Sequence, residues 1–213
     1  MKLYFSFLIF ISFSLSLFSQ QNEAEYIKTL TQRADKIVKT LDIKEPAVYD
    51  SVVSVIVKQY RNLGTIHDNL NNSIKEIKKN TTDKNTQEIA INALKNEANA
   101  KLYNLHCAYI GALSTYLTND QVEKVKDGMT YGVVQVTYKS YQDMIPTLKS
   151  EEKAQLYAWL VEAREHAMSA ASSKEKHDWF GKYKGRFNNY LSQRGYDIQK
   201  ERKAWEERLK ENK

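Results

Sequence analysis

The sequence predicts an all-α fold, an irregular bundle of six to eight helices with a long antiparallel hairpin and one extended crossing loop. Composition is the first reason, because 7 glycines and 2 prolines among 213 residues are too few for a turn-rich β protein. The second reason is that apolar residues recur at spacings of three and four along most of the chain. This pattern is typical of amphipathic helices.

The charge balance is mildly basic, with 32 Lys and Arg against 26 Asp and Glu. Because the basic residues are mostly interleaved with acidic ones, the sequence favours a solvated surface of salt bridges. A patch that binds polyanions is the alternative. We expect no nucleic-acid partner.

Residues 1–20 are predicted to be a signal peptide. Lys2 precedes an apolar run from Leu3 to Phe18, and the polar segment Ser19–Gln21 follows, which is the order of a secretory signal. A membrane-anchoring helix is the alternative, but the run is shorter than the about 20 residues that a span needs. We therefore expect cleavage near that polar segment, no stable membrane anchor after it, and a single helical domain over residues 21–213. The location would be periplasmic or secreted.

The first half of the chain predicts three helices, each with an apolar stripe. The first runs from Glu23 to Leu41, the second opens at Pro46 and ends near Lys79, and the third runs from about Asn85 to Tyr116. Because only a short break separates the second and third helices, they should form the long hairpin. Gly64, inside the second helix, indicates either a kink or a close helix crossing.

The middle of the chain contains the only segment that resembles a strand. Thr118 to Gln121 matches a capping box and should start a short helix. The following segment, Thr130 to Tyr141, is rich in β-branched and aromatic residues. Because it has no evident strand to pair with, we expect an extended crossing loop there. One helical turn should follow over Tyr138 to Ile145, closed by Pro146.

The last part of the chain predicts three more helices. Ser150 should cap a helix that continues to about Ala171. The next helix restarts at Ser172 and runs to Arg194, with Gly195 as its stop. Asp197 should cap a final, highly charged helix.

The sequence predicts neither a metal site nor a cofactor. The four histidines, His67, His106, His166 and His177, are scattered and do not form an H-E-x-x-H motif. No glycine-rich phosphate loop or G-x-S-x-G motif is present. The single cysteine, Cys107, lies in the apolar context LHCAYIGAL, so we expect a buried small hydrophobic residue and not a nucleophile.

Glu162 and His166 are the candidate catalytic pair, because residues four apart share one face of a helix. The glutamate could orient the imidazole for proton transfer. An exposed surface pair worth about 0.3 kcal/mol is the alternative. His177 on the next helix is a further candidate acid or base. Arg164, between the members of the pair, is a candidate for holding an acidic sugar.

The helix HDWFGKYKGRFNNYLSQRG combines aromatic, basic and amide side chains. Aromatic faces beside such groups suit sugars, and the cations suit carboxylated or sulfated sugars. The candidate ligand residues of this helix are Trp179, Lys184, Arg186 and Asn189. The alternative is that most of its aromatic residues belong to the core.

The segment Lys126 to Gly132 is a third candidate, because a glycine-rich helix end with a carboxylate and a tyrosine can form a pocket wall. Asp127 and Tyr131 are its candidate ligand residues. A helix cap followed by a crossing loop is the alternative. We expect these side chains and those of the two preceding candidates to face one cleft.

Two stretches, LTNDQVEKVKDGMTYGVV and AWLVEAREHAMSAASSKEKHDWFGKYKGRF, resemble domain-of-unknown-function family 3826, a family of secreted bacterial proteins typical of Bacteroidota. The resemblance extends from RADKIVKTL, which begins at Arg33, through the final helix. Because such proteins are often encoded beside polysaccharide-degradation genes, the resemblance implies a role in glycan use. It implies no catalytic residue. The phrase LTNDQ is also similar to the LTxxQ motif of Spy-like periplasmic chaperones.

The leading functional hypothesis is an exported accessory or binding protein in polysaccharide utilisation, with an acidic oligosaccharide or polysaccharide as its partner. The first alternative is a glycan-degrading enzyme, a hydrolase or lyase, that uses Glu162 with His166 or His177. In that case Arg164, Lys184 or Arg186 would hold a uronate. The second alternative is a Spy-like periplasmic chaperone or stress adaptor.

Overall fold

The structure is a computed structural model that describes residues 23–211, and this part of the chain folds into eight α-helices. The predicted signal peptide over residues 1–20 lies outside the described residues. The helices in chain order are α1 at residues 23–38, which continues into a 3-10 turn at Lys39–Leu41, then α2 Pro46–Asn80, α3 Lys84–Ser114, α4 Asn119–Met129, α5 Val133–Met144, α6 Ser150–Met168, α7 Ser173–Gln193 and α8 Ile198–Glu211. The predicted all-α fold is confirmed.

The long antiparallel hairpin is formed by α2 and α3, as predicted. Asp83 caps α3, because its carboxylate accepts a hydrogen bond from the Thr86 N–H at 2.8 Å. Gly64 does not interrupt α2. A Cβ at Gly64 would lie 3.0 Å from the Tyr26 hydroxyl oxygen, so the glycine allows the close approach of α1. The predicted close crossing therefore explains this glycine.

The prediction of an extended crossing loop is wrong, because Val133–Met144 forms helix α5. Its buried residues, Val134, Thr137, Tyr141 and Met144, recur at helical spacing and pack toward α6 and α8. Burial of this stripe outweighs the preference of β-branched residues for strands, which is a weak and context-dependent effect.

Two buried clusters form the core, and α6 contributes to both. The first cluster joins α1, α2, the end of α3 and α4, and it includes Met168 of α6. The second cluster joins α5, α6, α7 and α8, with Leu156 and Leu160 of α6 fully buried. Phe180 and Phe187 of α7 are buried here as well. The first turns of α4 and α8 are set locally: Thr118 and Gln121 form the predicted capping box of α4, and Asp197 caps α8.

Arg164 is the charged side chain that connects α6 to α4 inside the protein. It is 1 % exposed, and its guanidinium donates to Asp127 Oδ1 at 2.7 Å and to the Glu123 carboxylate. It also contacts Glu165 Oε1 at 3.3 Å. We refer to Arg164 and the charged side chains around it as the Arg164 network.

Lys126 of α4 also belongs to the Arg164 network, and His106 extends this network to α3. Lys126 Nζ lies 2.9 Å from Glu123 and 3.2 Å from Glu165, and His106 Nε2 lies 3.0 Å from Glu165. Burial alone would raise the pKa of the Glu165 carboxyl, but the hydrogen bond from His106 and the charge of Lys126 outweigh it. They lower that pKa to about 2. The Glu165 carboxylate thus remains charged at neutral pH.

Two smaller predictions are corrected. Cys107 is exposed, because it precedes the buried Tyr109 by two residues and so points about 200° away from it around α3. Ser150 is the first residue of α6 and not its cap. The carboxylate of Glu152 instead accepts from the Lys149 N–H at 2.9 Å. Within residues 23–211, every helix is too short or too polar to cross a bilayer.

Replacing Arg164 with methionine is expected to lower the free energy of unfolding by about 2–4 kcal/mol, because carboxylates of α4 would lose their buried counter-charge. Urea denaturation at pH 7 measures the change. The matched control is Arg186→Met, which removes an exposed pair with Glu162 at 3.5 Å and should cost less than about 1 kcal/mol. Equal losses in the two variants would contradict a structural role for the Arg164 network.

Candidate functional site

The structure distributes the predicted site residues over several separate places, so the expectation of one cleft is wrong. Asp127 and Arg164 are paired inside the protein. Glu162, His166, Trp179 and Arg186 line a groove between α6 and α7. Tyr131 lines a separate pocket, with His177 stacked on its ring. Lys184 and Asn189 are exposed on α7 and, among the described residues, belong to neither lining.

The groove between α6 and α7 has a volume of about 320 Å³. Within residues 23–211, Glu162 makes no hydrogen bond with His166; its carboxylate lies 3.5 Å from Arg186 Nη1 instead. The His166 ring stacks on Trp179 with 4.4 Å between the ring centroids. The predicted catalytic pair therefore shares a face of α6, but each member contacts a partner on α7.

The aromatic rings in this groove already have partners. The Arg186 guanidinium lies 5.9 Å from the Tyr183 ring centroid, and the Tyr183 side chain is buried. The Trp179 ring contacts His166 and also lies 5.0 Å from the Lys182 ammonium. Because these contacts cover those ring faces, the groove offers little aromatic surface for stacking a sugar.

The second pocket is larger, with a volume of about 700 Å³. It lies between α1, α2, the turn after α4 and the start of α7. Among the described residues its lining contains no aspartate or glutamate. The basic and aromatic side chains that line it are Arg33, Lys36, His67, Lys176, Tyr26, Tyr60 and Tyr131. We refer to it as the cationic pocket.

Lys176 is the most deeply buried of the basic side chains that line the cationic pocket, because it is only 7 % exposed. Its ammonium donates to the Met129 carbonyl at 2.8 Å and lies 5.7 Å from the Tyr60 ring centroid and 6.0 Å from that of Tyr131. Within the described part of the chain it has no other hydrogen-bond acceptor and no ion-pair partner. Burial, together with the charge of Arg33, lowers the pKa of Lys176 to about 8.

Helices α1 and α2 supply the other polar groups of the pocket. Arg33 and Lys36 are exposed on α1, and neither forms an ion pair within residues 23–211. His67 Nε2 on α2 lies 2.8 Å from the Ser169 carbonyl oxygen, which connects α2 to the end of α6. Burial raises the pKa of the Tyr60 hydroxyl to about 12, so Tyr60 offers a neutral hydroxyl and an aromatic ring.

Tyr131 stands at the edge of the pocket on a strained turn. Its φ is 61°, a left-handed value that is uncommon outside glycine, and the following Gly132 has a φ of 65°. The Gly132 N–H donates to the Asp127 carbonyl at 2.8 Å. The Tyr131 ring is stacked on His177 with centroids 5.5 Å apart and planes inclined by 14°. The backbone carbonyl of Asp127 therefore helps to fix this turn, while its carboxylate pairs with Arg164.

Sequence reasoning missed most of the cationic pocket, namely Arg33, Lys36, Tyr60, His67 and Lys176. The first four lie on α1 and α2, far along the chain from α7. Lys176 did carry a signal, because it shares the buried stripe of α7 with Phe180, Tyr183 and Phe187 at helical spacing. Among residues 23–211, the structure contains no group of three or more metal-binding side chains.

Replacing Lys176 with methionine should stabilise the fold at neutral pH by about 1–3 kcal/mol, because its pKa is about 8 when folded and about 10.4 when unfolded. The unfolded chain binds the Lys176 proton more tightly than the folded chain does. The destabilisation of the wild type by this residue is therefore at its full value below pH 8. The gain should therefore shrink as the pH rises from 8 to 10.5. Urea denaturation across this range measures it.

The control for this pH series is Lys184→Met, which replaces an exposed lysine of the same helix. It should show almost no change in stability at any pH in the series. A Lys176→Met variant that is less stable than the wild type at pH 7 would contradict the unpaired state of the buried ammonium.

Comparison with known protein families matches residues 27–211 to the family described as "Protein of unknown function (DUF3826)". No curated protein matches the sequence. Because the match extends over nearly all of the described residues, the chain belongs to the DUF3826 family.

Proposed function

We propose that this member of the DUF3826 family is an exported binding protein for an acidic oligosaccharide, which it holds in the cationic pocket for polysaccharide utilisation. The observation that carries the proposal is the buried ammonium of Lys176, which has no counter-ion within the described residues and lines a pocket without carboxylates. A carboxylate on the ligand would supply the missing charge.

The charges of the pocket favour an anion over a neutral ligand. Removing an ammonium from water is costly unless an opposite charge or several hydrogen bonds compensate, and Lys176 has one carbonyl acceptor. The nearby Arg33 guanidinium can donate two parallel hydrogen bonds to one carboxylate. Lys36 adds a third positive charge at the pocket. An acidic group would relieve the repulsion between these cations.

The aromatic lining favours a sugar as the carrier of that acidic group. Tyr26, Tyr60 and Tyr131 each combine an apolar ring with a hydroxyl, and such side chains can pack on a sugar ring and hydrogen-bond its hydroxyl groups. A volume of about 700 Å³ also lies within the usual size range of small-ligand sites. A periplasmic or secreted location, expected from residues 1–20, would place the protein where extracellular glycans occur.

A uronate lyase is the second candidate, and the lowered pKa of Lys176 favours it. A lysine with a pKa of about 8 is partly neutral in mildly alkaline solution, so it could remove a proton beside a carboxylate held by Arg33. Hydrolysis through Glu162 and His166 has weaker support, because these side chains contact Arg186 and Trp179 and not each other. The chaperone alternative has no specific support, since the LTNDQ motif forms the capping box of α4.

Thermal unfolding with a panel of neutral and acidic oligosaccharides tests binding. Acidic members should raise the melting temperature without being cleaved, and added salt should weaken the effect because it screens the charges. Arg33→Met should weaken binding at least tenfold, about 1.4 kcal/mol, whereas Lys184→Met should bind as the wild type does. Stabilisation by neutral sugars alone would overturn the proposal.

Product analysis on the same panel separates binding from catalysis. A lyase would generate unsaturated products that absorb in the ultraviolet, and Lys176→Met would abolish them. A hydrolase would generate new reducing ends without ultraviolet-absorbing products, and Glu162→Gln would abolish them. Intact oligosaccharides after prolonged incubation would leave binding as the function of the cationic pocket.

A further inference from the structure

We infer that the cationic pocket selects oligosaccharides whose acidic unit is at the end of the chain, with the carboxylate bound between Lys176 and Arg33. The next sugar unit would leave over the rim formed by Tyr131 and His177. This inference rests on the proposed function and adds a direction to the bound ligand. Its basis is that the Lys176 side chain is buried, whereas Tyr131 at the rim is exposed.

The Lys176 ammonium lies deep in the cationic pocket. The side chain is 7 % exposed, and its ammonium is held against the Met129 carbonyl, with the Tyr60 and Tyr131 rings 5.7 and 6.0 Å away. A terminal sugar has one glycosidic bond and needs one path out of the pocket. An internal sugar has two and needs two paths, so its carboxylate would reach this ammonium less easily.

The rim offers the path out. Tyr131 is 56 % exposed, and its stacked partner His177 directly follows Lys176 on α7. The turn at Tyr131 and Gly132 adopts left-handed backbone angles in both residues, which holds the ring at this position. The anion site and the exposed pair are therefore neighbours, as a ligand with an acidic end and a neutral second unit requires.

Isothermal titration with four probes tests the inference: free hexuronate, a disaccharide that ends in hexuronate, the methyl ester of that disaccharide, and a trisaccharide with hexuronate between two neutral hexoses. The hexuronate-terminated disaccharide should bind at least tenfold more tightly than its ester and the capped trisaccharide. Lys176→Met should remove the preference for acid over ester, and Lys184→Met should keep it. His177→Ala should weaken binding of the disaccharide and leave that of free hexuronate unchanged.

The outcomes separate this inference from the proposed function. If the capped trisaccharide binds as tightly as the hexuronate-terminated disaccharide, terminal selection is wrong while acidic-glycan binding stands. If none of the acidic probes binds, the proposed function fails and the inference fails with it. Arg33→Met provides a second test on an exposed residue, and it should reduce the preference for acid over ester without affecting the fold.

Discussion

Burial of the Arg164 guanidinium is the constraint on which the arrangement of the other helices depends. An arginine removed from water needs carboxylates that fit its geometry, and both Asp127 and Glu123 come from α4. The pairing therefore fixes the position of α4 against α6. Because α6 contributes side chains to both core clusters, it also sets how the first cluster meets the second. Lys126 of α4 pairs with Glu165 as well, and His106 brings α3 into the same charged arrangement.

The position of α4 in turn determines the cationic pocket. The last carbonyl of this helix, on Met129, accepts from Lys176, and the turn that follows carries Tyr131. Glu123 and Asp127 of α4 pair with Arg164, and Glu123 also pairs with Lys126, so these carboxylates do not neutralise the cations of the pocket. One helix thus separates an interior region with paired charges from a pocket whose charges are all positive. Under the proposed function, this separation would leave the cations of the pocket available to an anionic ligand.

Local signals account for the parts of the structure that could be predicted, and tertiary contacts account for the rest. Helix caps such as Thr118 and the hairpin follow from residues close together in sequence. The strand-like composition of α5 was misleading because burial at helical spacing outweighed it. The sequence could have shown that Arg164 and His166 point to different sides of α6, since two residues correspond to about 200° around a helix. Arg33 and Lys176 line the same pocket because of how α1 and α7 are placed, and no local pattern encodes that placement.

Lys176 shows why a residue that weakens the fold can indicate function. It occupies the buried stripe of α7 that Phe180 and Phe187 continue, where an apolar side chain would pack without the cost of removing an ammonium from water. One hydrogen bond to the Met129 carbonyl compensates that cost only in part. Arg164 is also deeply buried, but Glu123, Asp127 and Glu165 provide its counter-charge within the protein. Its Nε has no hydrogen-bond partner among the described residues. Under the proposed function an anionic ligand would supply the counter-charge that Lys176 lacks, and this difference distinguishes the proposed binding residue from the structural one.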